Sequence, residues 1–200
     1  MSVGLLTSMR PRSGRSVSVG AVVGILVVAA AVAGAALIAA HPAGSHRTTP
    51  SGAVQAQGAA LESWETQIHP LVLSASQVVA LGPRQGVSEV ANRTQPATQL
   101  FSMAIGWHAR LTVLAGQIAA VSAPSFVSSA DDLLKAAMTG YVNAAHALVV
   151  AVNARGDRRT SLLAQATADG RTADHVYDEA VAAIASWRAR LGLTPDWSAS

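Results

Sequence analysis

The residues able to do chemistry are few: six histidines, eleven carboxylates, one lysine and no cysteine in 200 residues. The missing cysteines remove disulfides, thiolate metal sites and thiol nucleophiles together. No Gly-x-Ser-x-Gly elbow, His-Glu-x-x-His pair, Ser-x-x-Lys or phosphate-cradling Gly-Lys-Ser/Thr loop occurs. The lone lysine, Lys135, stands four residues after Asp131 and three after Asp132. That spacing reads as a surface ion pair on a helix, worth a few tenths of a kcal/mol at most. The chain is therefore not expected to be an enzyme, and no catalytic or cofactor-binding residue is assigned.

Histidines could hold a metal between facing helices. In four helices of alternating direction, His69, His108 and His175 fall near one height, with Glu65 one turn before His69 and Asp178 and Glu179 one turn after His175. The faces disagree with the heights. His175 lies two residues past an apolar-stripe alanine, Ala173, and so points about 200° away from the core. His69 and His108 only flank the stripes, and Glu65 to His69 is spaced four, where di-iron bundles use Glu-x-x-His. No metal-ligating residue is assigned.

A small apolar pocket is a further option. Pro70 lies in the middle of the first helical segment and leaves the Thr66 carbonyl without its helical donor, so a kink is expected there. Gly106 precedes Trp107, Gly140 precedes Tyr141, and Gly170 occupies a stripe position. Each glycine either opens a notch for a ligand or admits a neighbouring ring. Trp64, Trp107, Trp187, Phe126 and Tyr141 fit core positions, with Trp64, Phe126 and Trp187 expected to cluster at one end. Trp197 has no evident core role and is expected either to fold back on the bundle or to meet the membrane interface. Arg155-Gly156-Asp157 spells an adhesion tripeptide and reads as coincidence. Asn92-Arg93-Thr94 is a glycosylation sequon that matters only after secretion through an endoplasmic reticulum.

The elements that would position these residues follow from helical periodicity. The first predicted helix spans about 55–81, with Leu61, Trp64, Ile68, Leu71, Ala75 and Val78 on one stripe, and is expected to stop at Gly82-Pro83. Residues 84–94 form a polar connection. The second opens at Gln95-Pro96 and runs to about Val121 through Leu100, Met103, Trp107, Leu111, Leu114 and Ile118. The third covers about 125–154 through Phe126, Ala130, Leu133, Ala137, Tyr141, Ala144 and Leu148. The fourth covers about 158–191 through Ala166, Gly170, Ala173, Tyr177, Ala180, Ile184 and Trp187, closing with Arg188, Arg190, Gly192 and Pro195. The fold class expected is all-α: an up-down-up-down four-helix bundle over residues 55–191, with a tail at 192–200.

Before the bundle, residues 17–40 carry no charge and consist of Ala, Val, Ile and Leu apart from Ser18, Gly20, Gly24 and Gly34. Their 24 residues reach roughly 36 Å as a helix, enough for a hydrocarbon core of about 30 Å. Arg10, Arg12 and Arg15 precede the run and only Arg47 follows closely, which places residues 1–16 in the cytoplasm and the rest outside. Residues 41–54, rich in Pro, Gly, Ser and Thr, read as a flexible linker. A cleaved signal peptide competes with this reading, although its apolar core is usually about 7–15 residues. Met9 is an alternative start that would keep the anchor intact. Gly20 and Gly24 could support a weak homodimer.

The pI of 10.2 does not indicate a nucleic-acid binder. From His41 onward eleven Lys/Arg balance eleven Asp/Glu, so the excess charge lies in the N-terminal tail. Forty-two alanines and thirteen arginines against one lysine are the composition of a GC-rich, bacterial genome. The expected function is non-enzymatic: a single-pass signal-anchored bundle, in contact with the lipid bilayer through residues 17–40 and with an envelope protein partner. The alternative is a bundle that binds a small ligand or a metal outside the membrane.

Overall fold

The computed structural model describes residues 51–194 and Trp197. The expected cytoplasmic tail, the span at 17–40 and most of the linker lie outside the described residues, as does most of the C-terminal tail. The described chain is all-helical and forms a four-rod bundle, as the apolar periodicity predicts. Helix α1 (Gly52–Val79) passes into a π-helical turn (Ala80–Arg84) and then α2 (Gln85–Asn92), making one long first rod. Helix α3 is Ala97–Ala120 and a 3-10 turn (Ser125–Val127) leads into α4 (Ser128–Asn153). Helix α5 is Gly156–Arg190.

Two boundaries depart from expectation. Gly52, Ala53 and Val54, assigned to the linker, already belong to α1. More consequentially, Gly82-Pro83 does not end the first helix, and the expected polar connection is helical to Asn92. Proline lacks an N–H and crowds the carbonyl four residues back. A π turn relieves that crowding by widening the helix locally, and tertiary packing retains it. A Cβ on Gly82 would lie 2.8 Å from Trp107 Cγ, and one on Gly86 would lie 2.6 Å from Trp107 Cζ3. The indole of α3 thus lies against two glycines one turn apart. The real stop is Arg93, in the left-handed region at φ 50°, with the Thr94 N–H donating to the Glu89 carbonyl at 3.3 Å.

The other ends match their signals. Pro96 caps α3, and α5 closes at Gly192, whose φ of 72° suits glycine. The Leu193 N–H returns to the Arg188 carbonyl at 2.9 Å. Helix α1 runs unbroken through Pro70.

The core falls into two clusters. One joins Leu61, Trp64 and Ile68 of α1 with Leu111, Ile118, Leu134 and Ile184. The other joins Val90, Leu100, Leu148, Ala151 and Ala166, where the first rod ends, α3 begins, α4 ends and α5 begins. Successive rods therefore alternate in direction. Phe126 and Trp187 meet edge to face at 5.2 Å and pack against the first cluster, to which Trp64 belongs. Among the described residues, Ser125–Asn153 is long and apolar enough to cross a membrane by length and composition. Here it supplies core residues Ala130, Leu134, Ala137, Ala144 and Leu148.

The rods are unequally spaced. Helices α4 and α5 form the most extensive interface, along small residues. Ala137, Ala144 and Ala151 of α4 and Ala166, Ala173 and Ala180 of α5 are all buried, and a Cβ on Gly140 would lie 2.8 Å from that of Ala173. Helices α1 and α5 approach at few points. Long side chains fill the gap between them, and this seam holds the bundle's polar interior.

Candidate functional site

At the π turn, the first rod places Arg84 opposite α5. Arg84 Nη2 donates to Asp174 Oδ1 at 2.7 Å, and the Tyr141 hydroxyl of α4 donates to the same oxygen at 2.7 Å. Arg84 remains largely exposed, whereas Tyr141 is buried. Burial, then the hydrogen bond to anionic Asp174, raises the Tyr141 pKa and keeps the phenol protonated. The hydrogen bond to Asp174 also raises the pKa of Arg84, so this cation is permanent.

Two cavities meet at this triad. One, of about 360 Å³, is lined by Val79, Pro83, Val87, Ala166, Gly170 and Arg171. The other, of about 210 Å³, runs along Val72, Ala75, Met138 and Tyr177. Both include Val79, Arg84 and Tyr141 in their walls. Burial raises the Tyr177 pKa, an effect opposed by its hydrogen bond with Ser76. Apolar walls with a few fixed polar groups are the composition of a small-molecule site.

A second polar node lies further along the same seam. Arg188 Nη1 donates to Glu65 Oε2, and both residues are buried, at 5% and 3% exposure. Arg188 also holds the C-terminal segment: Nε donates to the Thr194 carbonyl at 2.5 Å and Nη2 to Thr194 Oγ1 at 3.2 Å. Desolvation raises the Glu65 pKa, with Arg188 pulling the other way. Thr66, His69 and Pro70 line an adjacent cleft of about 420 Å³ with Glu62, Glu65 and Arg188. Trp197 folds back into the core, its ring edge to face with His69 at 5.6 Å.

The structure does not bring the three singled-out histidines together. His175 is exposed and pairs with Glu179 at 3.3 Å, His69 meets Trp197, and His108 lies against His146 at 5.3 Å between ring centres. Among the described residues no three His, Asp or Glu converge as metal ligands. The Lys135–Asp131 pair forms at 2.5 Å, but Asp131 is buried, which corrects its reading as a surface pair. Arg188, expected only to complement the α5 dipole, is a core residue. Of the glycines considered as notches, Gly106 and Gly170 face open space and Gly140 admits Ala173 rather than a ring. The glycines that receive a ring are Gly82 and Gly86.

Arg84, Asp174, Glu65 and Arg188 were missed as site residues. Glu65 carried a signal: it stands four after Leu61 and three before Ile68, inside the apolar stripe. Arg188 likewise stands four after Ile184. Arg84 carried none, because its position depends on the helix continuing past Pro83. Comparison with protein-family models, with curated proteins and with solved structures gives no match to this chain.

Proposed function

We propose that this chain is a single-pass membrane protein, N-terminus inside, displaying a helical bundle outside the cytoplasm as a non-enzymatic interaction or accessory component of the cell envelope. The charge-free run at 17–40 and the three arginines before it support the anchor and its orientation. The interaction reading is carried by where large apolar side chains are left in water. Leu73 (52% exposed), Leu81 (59%), Ile105 (43%) and Val113 (59%) all lie on the first rod and α3. Helices α4 and α5 expose none comparable among the described residues. Ser74 and Val113 border one shallow groove between the two helices, with Ala109, Arg110 and Leu114. Apolar exposure on this one pair of helices, with Val113 in the groove between them, supports a partner-covered surface there.

The test places a photoreactive residue at Val113, and separately at Asp178 on α5, in full-length protein in its native membrane. The Val113 probe captures one envelope protein of defined mass, the Asp178 probe does not, and Leu73→Glu abolishes capture. Equal capture from both positions, or none from Val113, overturns the reading. A second reading, a small-ligand-binding bundle, is favoured by the apolar cavities that meet at Arg84.

A further inference from the structure

We infer that the groove at the π turn binds a single-chain amphiphilic anion, a fatty-acid-type carboxylate, with its head at Arg84 and Arg171 and its chain along the α1–α5 seam. This rests on the ligand-binding reading and is independent of the exposed face formed with α3.

Three observations converge. The first is space: two cavities, of about 360 and 210 Å³, share Val79, Arg84 and Tyr141 in their linings. The second is lining: Val72, Val79, Val87 and Met138 offer apolar surface to methylenes along that space. The third is charge. Arg84 and Arg171 face one carboxylate, Asp174, so the groove carries one positive charge in excess. Arg171 makes no ion pair among the described residues.

Asp174 engages Arg84 through only one guanidinium nitrogen. The Arg84 guanidinium, which Tyr141 also approaches, keeps solvent-facing N–H groups able to receive a second carboxylate. Tyr141 donates to the same Asp174 oxygen, which holds Asp174 in place when an anion arrives. An uncharged lipid would leave both arginines to water and gain nothing from the excess charge. A two-chain phospholipid would need more volume than the two cavities offer, about 360 and 210 Å³.

The experiment uses full-length protein in bilayer discs and a diazirine-bearing dodecanoate, with adducts mapped by mass spectrometry. Labelling is expected to saturate and to fall on residues of the groove, among them Val79, Met138 and Tyr141. Gly170→Leu plugs the cavity at a position where an added Cβ meets nothing within 4 Å, so the variant folds and labelling falls at least tenfold. Arg84→Met weakens the carboxylate probe about tenfold and leaves the matching dodecanol probe unchanged.

Equal labelling by acid and alcohol overturns the anion assignment while leaving ligand binding in place. Groove labelling that Gly170→Leu does not affect, or labelling confined to residues 17–40, overturns the site and the ligand-binding reading with it. Displacement of the probe by added phosphatidylglycerol, but not by unlabelled dodecanoate, overturns the single-chain assignment.

Discussion

Substituting alanine for Gly82 puts two opposing effects in direct competition. A glycine inside a helix costs about 1 kcal/mol relative to alanine, so propensity alone makes Gly82→Ala stabilising. Packing argues the reverse. The new methyl would lie 2.8 Å from Trp107 Cγ, 3.0 Å from its Cβ and 3.1 Å from its Cδ2. Cβ and Cγ are at the root of the indole, so rotating the ring about the bond between them does not clear them, and its far edge lies against Gly86, where an added Cβ would come within 2.6 Å of Cζ3. Helix α3 must then move away from the first rod. Overpacking of this kind costs about 2–3 kcal/mol, leaving a net loss of about 1–2 kcal/mol.

For a domain of this size the loss lowers Tm by about 2–8 °C, followed as helical circular dichroism of the full chain in bilayer discs. The control is decisive because the sign changes. In a Trp107→Ala background the obstruction is gone, and Gly82→Ala should raise stability by up to about 1 kcal/mol. The coupling between the two positions is then about 2–3 kcal/mol. If Gly82→Ala stabilises the protein in both backgrounds, the π turn is not held by the indole, and the account of why Pro83 fails to end the helix is wrong.

Further outcomes follow from the same interior. Gly140→Ala sets its methyl 2.8 Å from the Ala173 Cβ with the α5 backbone directly behind; urea unfolding should show a loss of about 2 kcal/mol despite better helix propensity. Arg188→Met strands a buried carboxylate and should cost about 3–5 kcal/mol, whereas Glu65→Met with Arg188→Met should recover most of that loss, read from the same unfolding curves. Because burial raises the Glu65 pKa, folding favours its protonated form. The resulting stabilisation is complete below the unfolded-state pKa and is lost as pH rises through the folded one. Wild type should therefore gain on Glu65→Gln as pH falls from 7 toward 4 in urea titrations, and a gap moving the other way would show that Arg188 outweighs desolvation.

Helical periodicity reports burial directly, and for that reason Leu61, Trp64, Ile68, Leu100, Leu111, Ile118, Leu148 and Ile184 could be placed in the core before any coordinates. The alternating direction followed from the short turns, and with it the meeting of Phe126 and Trp187. What periodicity does not contain is the competition between a local signal and a distant one. Gly82-Pro83 is a stop by every local rule, and it gives way because Trp107, some 25 residues later, lies against the glycine. The Glu65–Arg188 pair spans 123 residues, and each partner resembles a polar flank until the stripe is seen to include it.

The position of the groove follows from residue size. Helices α4 and α5 are lined by alanines and Gly140, so their backbones come close and leave no room between them. A four-rod bundle that closes tightly on one side opens on another unless every interface uses side chains of equal size. Here the open side is the α1–α5 seam, next to the point where the π turn and α2 approach α5, and long side chains reach into it. Those that span it through polar tips, Arg84, Tyr177, Glu65 and Arg188, need partners once they are there. Polar nodes separated by apolar cavities result. A surplus of alanine, which by itself suggests only a plain structural bundle, therefore determines where this one leaves its cavities. Replacing the small residues of α4 and α5 by larger ones would move the gap, and the chemistry with it.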